Sequence, residues 1–358
     1  VKIQAYAPDP LNEQASVLVD AQTDIKIAIK QGVLSGAPSF VVKQSIERIV
    51  ARAIARIRSP TLQKDARISL MRFADGAYRR FNEGLRGITP AALPALVVLM
   101  RAVTARENQQ KYFVPKSLQE RKAVQTLSVQ GLTFETGAKG IPLQEFQKKY
   151  IDRVSEALYG LAEEYALDPN DLTGRNSLRS LAEMQVRYER HQDEIAGIKS
   201  KGTKLVVCSV HGDCSDRCAR WQGGVYSLDG TSGTTEDGRK YQPLENATDI
   251  FYTTKAGRTY KNGLLGFNCR HKLFEYRTGM GIPSISKEEQ KREYAVTKRQ
   301  RELERGVISA REIALCFKDV GGNMYRKWNK IARERYEAYK QFSKDNGRAY
   351  YPDRVKIL

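Results

Sequence analysis

The stretch Cys208-Ser-Val-His211-Gly-Asp-Cys214-Ser-Asp-Arg-Cys218, answered about fifty residues later by Asn268-Cys269-Arg270-His271, constrains this chain more than any other part of it. Zinc takes four nitrogen or sulfur ligands in a tetrahedron, and two short ligand pairs brought together across a loop are the usual way to supply them. Cys214 with Cys218, and Cys269 with His271, form such a set. His211 competes for a place, either as a ligand or as a group that orients one, and Cys208 is a weaker candidate because a short β-branched strand buries it. The first pair is C-x3-C and the second C-x-H, which is not a standard zinc-finger register. The competing reading is of small buried thiols beside hydrogen-bonded imidazoles. A segment this poor in long apolar runs gains folding energy from a metal, and that inclines the reading to zinc.

Four of the five cysteines fall between Cys208 and Cys269. An odd number, clustered locally, does not suggest the disulfide framework of a small secreted domain, so a reducing compartment is expected. No apolar run approaches the roughly 18 residues of a membrane span. The first residues, with Pro8 and Pro10, lack the basic-then-apolar order of a secretory signal.

Around the cluster the texture changes. From Leu11 to about Ser200 the chain reads as helices separated by turn signals at Gly36-Ala37-Pro38, Ser59-Pro60, Gly87 to Pro90 and Asp168-Pro169-Asn170. In the segment from Ser39 to Ile57, Ile46, Ile49, Val50, Ala53 and Ile57 share one face, and Arg48, Arg52 and Arg56 repeat at four-residue spacing along another. Leu143 to Ala166 places Phe146, Tyr150, Val154, Leu158 and Leu161 at helical spacing. Ile88 to Val103 reads as a buried helix or a subunit contact, and Asn108 to Gly140 as a loop or extended arm. After Gly202, Lys204 to Val210 is β-branched and the next seventy or so residues are dense in Gly, Thr, Asp and Tyr. Helical patterning returns at Ser286, whose spacing to Glu289 is that of a capping box. Asn323 to Phe342 carries Tyr325, Trp328, Ala332, Tyr336, Tyr339 and Phe342 on one stripe. The expected class is therefore α+β, mainly helical with a small irregular β-containing domain. The expected regions are a helical 1–140, a helical linker 141–201, a Cys/His domain 202–283 and a basic helical 284–358.

The formal net charge is +19, from 60 Lys and Arg against 41 Asp and Glu. A balance this basic favours polyanionic partners, nucleic acid first. Candidate phosphate contacts are Arg48, Arg52 and Arg56, and the run Arg326, Lys327, Lys330, Arg333 and Arg335, each weighed against a plain solvated face. The interleaved aromatics read as core before base-stacking platforms. There is no H-E-x-x-H, no G-x-S-x-G and no P-loop, and Asp213, Asp216, Glu245 and Asp249 read as solvated carboxylates. A non-enzymatic protein is expected. The alternatives are a zinc-dependent DNA-binding or DNA-processing protein, such as a metal-dependent nuclease, and a toxin domain in the N-terminal part.

Three strings, in order, carry a resemblance: Val210-His-Gly-Asp-Cys-Ser-Asp-Arg-Cys218, Trp221-Gln-Gly-Gly-Val-Tyr-Ser-Leu228 and Gly263-Leu-Leu-Gly-Phe-Asn-Cys-Arg-His271. Together they resemble the phage minor capsid protein 2 family, and more distantly the Mu F-like head morphogenesis proteins, whose domains end in a similar Asn-Cys-Arg element. The resemblance extends upstream through Asp171 to Arg179 and downstream through Arg299 to Arg305. Cys208 departs from the pattern, where a small polar residue is more usual. The resemblance implies a virion protein present in a few copies inside the phage head near the portal, and in the host cytoplasm during assembly. Its implied partners are the portal protein, other capsid proteins and packaged DNA, and its implied work is in head assembly, DNA packaging or ejection.

Overall fold

The structure is a computed structural model that describes residues 13–58, 60–86, 126–129, 132–135, 152–162, 178–253, 259–261, 263–266, 269–320 and 322–356, with single positions between 88 and 100. It is 65% helical with one small mixed sheet, so the chain is a mainly helical α+β protein.

Helix α1 (Glu13–Leu34) shows why the N-terminal part folds. Val17, Ala21, Ile25, Ile29 and Val33 recur every fourth residue and are all buried, which makes an apolar stripe along one side of the cylinder. It packs on α2 (Ser39–Ala55), α3 (Pro60–Gly84) and α4 (Asp152–Ala162) in one core. The predicted face of α2 is the buried one: Ile46, Ile49, Val50 and Ala53 lie inside, with Ile57 just past the helix end. Gly36, at φ 74°, makes the turn between α1 and α2, and a Cβ there would press on the Pro90 carbonyl. Leu93, Leu96, Val97 and Met100 join the same core. In α4, Val154, Leu158 and Leu161 are buried as their spacing predicts; Phe146, Tyr150 and the Asp168-Pro169-Asn170 turn lie outside the described residues.

Two lysines of α1 are buried among these apolar side chains. Lys26 Nζ donates to the Ala162 carbonyl at the end of α4 (2.9 Å) and pairs with Glu312 at 3.5 Å. One turn on, Lys30 Nζ donates to the carbonyls of Leu315 (3.2 Å) and Lys318 (3.1 Å). The last carbonyls of a helix have no partner within it and carry its negative dipole end, so a buried ammonium satisfies both the carbonyls and itself.

Part of the segment read as a loop is a hairpin. Strand β1 (Thr126–Val129) pairs antiparallel with β2 (Leu132–Glu135), with Val129 opposite Leu132. Alternation over only four residues is too short to stand out in the sequence.

The small sheet has the order β5-β6-β4-β3-β9. Its strands are β3 (Leu205–Cys208), β4 (Val225–Ser227), β5 (Gly233–Thr234), β6 (Lys240–Pro243) and β9 (Leu273–Glu275). Only the β4–β6 pairing is parallel. A further antiparallel pair, β7 (Phe251–Thr253) with β8 (Thr259–Lys261), stands apart from it. Side chains alternate across a strand, and β3 uses both faces. Val206 and Cys208 enter a core with Tyr226 and the other cysteines of the cluster, whereas Val207 faces Val225 and Tyr276. Helix α5 (Leu178–Ser200) runs from α1 to this sheet, where Ile195 and Ile198 pack on the cysteine-lined core. Two single-turn helices, α6 (Asp216–Ala219) and α7 (Glu245–Thr248), complete the unit.

Helix α8 (Lys287–Phe317) begins as the capping spacing predicts, with Ser286 Oγ accepting from the Glu289 amide at 3.1 Å. Its 31 residues rise about 46 Å at 1.5 Å each. That length carries it from the cysteine loop, where Gln290 Nε2 donates to the Cys214 carbonyl at 2.8 Å, to the main core, which Ile313, Cys316 and Phe317 enter. It forms a hairpin with α9 (Gly322–Asp345), closed by the short α10 (Pro352–Val355). Between these helices Glu304 is buried, with Arg301 at 2.8 Å, Arg354 at 3.4 Å and the Tyr339 hydroxyl at 3.0 Å.

Candidate metal centre and the basic cleft beside it

The two halves of the Cys/His pattern meet because β3 and β9 pair, with Cys208 opposite Leu273. Beyond that register the loop after β3 runs beside the segment entering β9. The Ser209 amide donates to the Lys272 carbonyl (2.9 Å), and the Lys272 amide donates to Ser209 Oγ (2.9 Å). Cys269-Arg270-His271 is thereby set against the loop that holds Cys214 and the short α6 that holds Cys218.

Cys214, Cys218, Cys269 and His271 are all buried. The ligand atoms of Cys218, Cys269 and His271 lie within 4.8 Å of one another, and Cys269 Sγ is 3.4 Å from His271 Nδ1. The Cys214 thiol stands against Cys218. Hydrogen bonds from Cys214 and Cys269 hold Cys218 far below the usual thiol range, against the opposing effect of burial. The same bonds, together with burial, push Cys214 and Cys269 up. Several sulfurs thus crowd one anionic position, and a thiolate is the form in which sulfur binds a metal. His271 Nε2 lies 3.5 Å from Gln222 Oε1. The tautomer with its proton on Nε2 leaves the Nδ1 lone pair turned toward the sulfurs.

His211 sits beside this group rather than in it. Its Nε2 is 2.8 Å from Ser209 Oγ, and its ring meets that of His271 edge to face at 4.8 Å. Burial, then the neighbouring His271, lowers its pKa to about 4, so it is neutral at physiological pH. Cys208 is buried in β3, where desolvation raises its thiol pKa, and it lies outside the group of ligand atoms. The side-chain carbonyl of Gln222 was not singled out in the sequence; it also accepts from the His211 backbone amide at 3.0 Å, linking the His271 ring to the loop that carries His211.

A cavity of about 520 Å³ opens against the cluster, between it and α8. Arg217 and Arg270 line one wall, and Lys298, Arg301 and Arg305 the other. These cations were not among the expected nucleic-acid contacts. Their signal was present as 298, 301 and 305 along one helix face, but nothing local tells that face from a solvated one.

The residues that were expected to meet phosphate lie elsewhere. Arg48, Arg52 and Arg56 are exposed on α2, and Arg326, Lys327, Lys330, Arg333 and Arg335 are exposed on α9. Arg335 also donates to the Gly306 carbonyl at 2.9 Å and lies over the Trp328 ring. The aromatics between them turn inward. Trp328 Nε1 donates to the Tyr159 hydroxyl at 3.0 Å, and Tyr339 is fully buried.

The architecture is that of a helical protein carrying a small sheet whose loops close over a Cys/His cluster. Residues 185–343, from within α5 nearly to the end of α9, match the family model described as phage minor capsid protein 2. Over these residues the chain is similar to that family, and the similarity supports a phage capsid-associated role. No curated protein and no solved structure shows significant similarity to the chain.

Proposed function

We propose that this protein is a minor component of the tailed-phage head, held near the portal and in contact with packaged DNA, and that it acts in assembly, packaging or ejection. The observation that carries the reading is the family match, which spans the cluster and most of the α8–α9 hairpin. The charge of +19 supports the DNA contact, because neutralising phosphates with Lys and Arg releases counterions whatever the base sequence. The exposed basic faces of α2 and α9 are the proposed contacts, and the role asks for no catalysis. Other capsid proteins are the expected partners, with host cytoplasm the site of assembly. Among the described residues no helix is long and apolar enough to cross a membrane.

The donor set fits zinc. Cys218, Cys269 and His271 already converge, and Cys214 stands against Cys218 as the fourth ligand. Zinc held there would supply folding energy to a sheet of two- to four-residue strands. Mass spectrometry of purified virions, with zinc determined on the recombinant protein, tests the reading. Low copy number in particles and about one zinc per chain, as a four-ligand site requires, are the expected results. Absence from particles would overturn the capsid role.

A further inference from the structure

The cleft between the Cys/His cluster and α8 is distinct from the basic faces of α2 and α9, and its chemistry is more specific. On the α8 wall, Tyr294, Lys298, Arg301 and Arg305 follow one another at four, three and four residues, so they share one stripe. On the opposite wall Arg217 adjoins Cys218, and Arg270 lies between Cys269 and His271, so the fold that assembles the cluster also aims these two guanidiniums. Five cations converge on one space.

Asp213 is the one carboxylate among the described lining residues, and its charge is already answered. Arg348 lies 3.4 Å from Oδ2, and Thr297 donates to the same oxygen at 2.7 Å. Arg301 shares the single carboxylate of Glu304 with Arg354, which leaves that trio net positive. Like charges held this close repel one another, and an anion seated among them relieves the repulsion while accepting charge-assisted hydrogen bonds.

The cavity of about 520 Å³ is of the size that accepts a small ligand or a nucleotide or so, and too small for a duplex. Tyr294, which lines the cavity and is 41% exposed, supplies an aromatic ring of the kind on which a base can stack. We propose that this cleft binds an unpaired nucleic-acid strand through its phosphates. The site does not depend on the duplex contacts proposed for α2 and α9.

Fluorescence anisotropy on the full chain tests this with a labelled thymidine octanucleotide and a blunt duplex of equal length. The variants are Lys298→Glu with Arg305→Glu, both exposed on α8, and Lys327→Glu with Arg333→Glu on α9. The α8 pair should weaken single-strand binding about tenfold or more, the scale of losing charge-assisted contacts. It should also lower the salt slope by roughly 0.7 per cation removed. The α9 pair should weaken single-strand binding much less than the α8 pair does. Failure to bind the single strand, equal loss from both pairs, or no loss from the α8 pair would overturn the proposal, the last meaning that the cations only balance the thiolates. Binding of the single strand without any binding of the duplex would count against the α2 and α9 contacts and leave this site standing.

Discussion

Arg348 Nη1 lies 3.4 Å from Asp213 Oδ2 with both side chains almost wholly buried, so the segment after α9 is tied to the loop that presents Cys214. Arg348 also reaches Glu293 of α8 at 3.0 Å, and Thr297 donates to Asp213. The last part of the chain thereby fixes a loop more than 130 residues earlier.

Removing one member of that pair takes an ion-pair partner from a buried charge, which costs up to about 3–5 kcal/mol, less for Arg348, which keeps Glu293. Asp213→Ala and Arg348→Ala should each destabilise by that order in denaturant unfolding, and the double variant should lose much less than the sum. Additive losses would show that the two side chains do not act on one another.

Glu304 makes the hairpin acid-sensitive. Burial alone would raise its pKa, but Arg301 and Arg354 outweigh that and hold it below the ordinary glutamate value of 4.5. A carboxylate whose folded pKa is depressed contributes stability that is fully present above its unfolded value and lost as pH falls through the folded one. Unfolding measured from pH 7 to pH 3 should show the loss setting in below about pH 4.5. Glu304→Gln should be less stable at pH 7 and flatter across that range; an unaltered pH profile would contradict the assignment.

If zinc seats on the cluster, its removal should act locally. Chelation, or Cys269→Ser, should expose residues 202–283 to protease, because a structural ligand set couples metal binding to folding. Helix α1 and its neighbours have their own core and should keep most of the helical circular dichroism. A protease-resistant Cys269→Ser protein would mean that the thiols are packed rather than ligating.

Gly263 is placed where a side chain has no room. A Cβ there would fall inside contact distance of the Ala247 and Thr248 carbonyls, and the next amide, of Leu264, donates to Ala247 at 2.7 Å. Gly263→Ala should cost about 1–3 kcal/mol, the usual range for overpacking. Trp221 reports on this unit and Trp328 on the helical core, so fluorescence unfolding in a Trp328→Phe background isolates the effect. An unshifted Trp221 transition would refute the steric argument.

Much of this protein was legible along the chain because the signals are local. The stripe on α2 needs only 3.6-residue periodicity, the start of α8 only a serine three residues before a glutamate, and the aromatic stripe of α9 only its spacing. The cysteines and histidines were legible as a cluster because their residue types are rare. Their partition was not: that His271 joins Cys218 and Cys269 while His211 stands aside follows from the β3–β9 register. The strand pair β1–β2 was too short to declare itself, and Gln222 gave no sign of joining the His271 ring to the His211 backbone. Nothing local marks Lys26 and Lys30 for burial, yet the C-terminal ends of α4 and α8 draw them into the core. Local sequence set which segments are helices and which residues have the chemistry to bind, since backbone preference and side-chain type act over a few residues. Only the tertiary structure decided which of those residues meet, and which cations face a cleft rather than water, because those depend on pairings between segments tens to hundreds of residues apart.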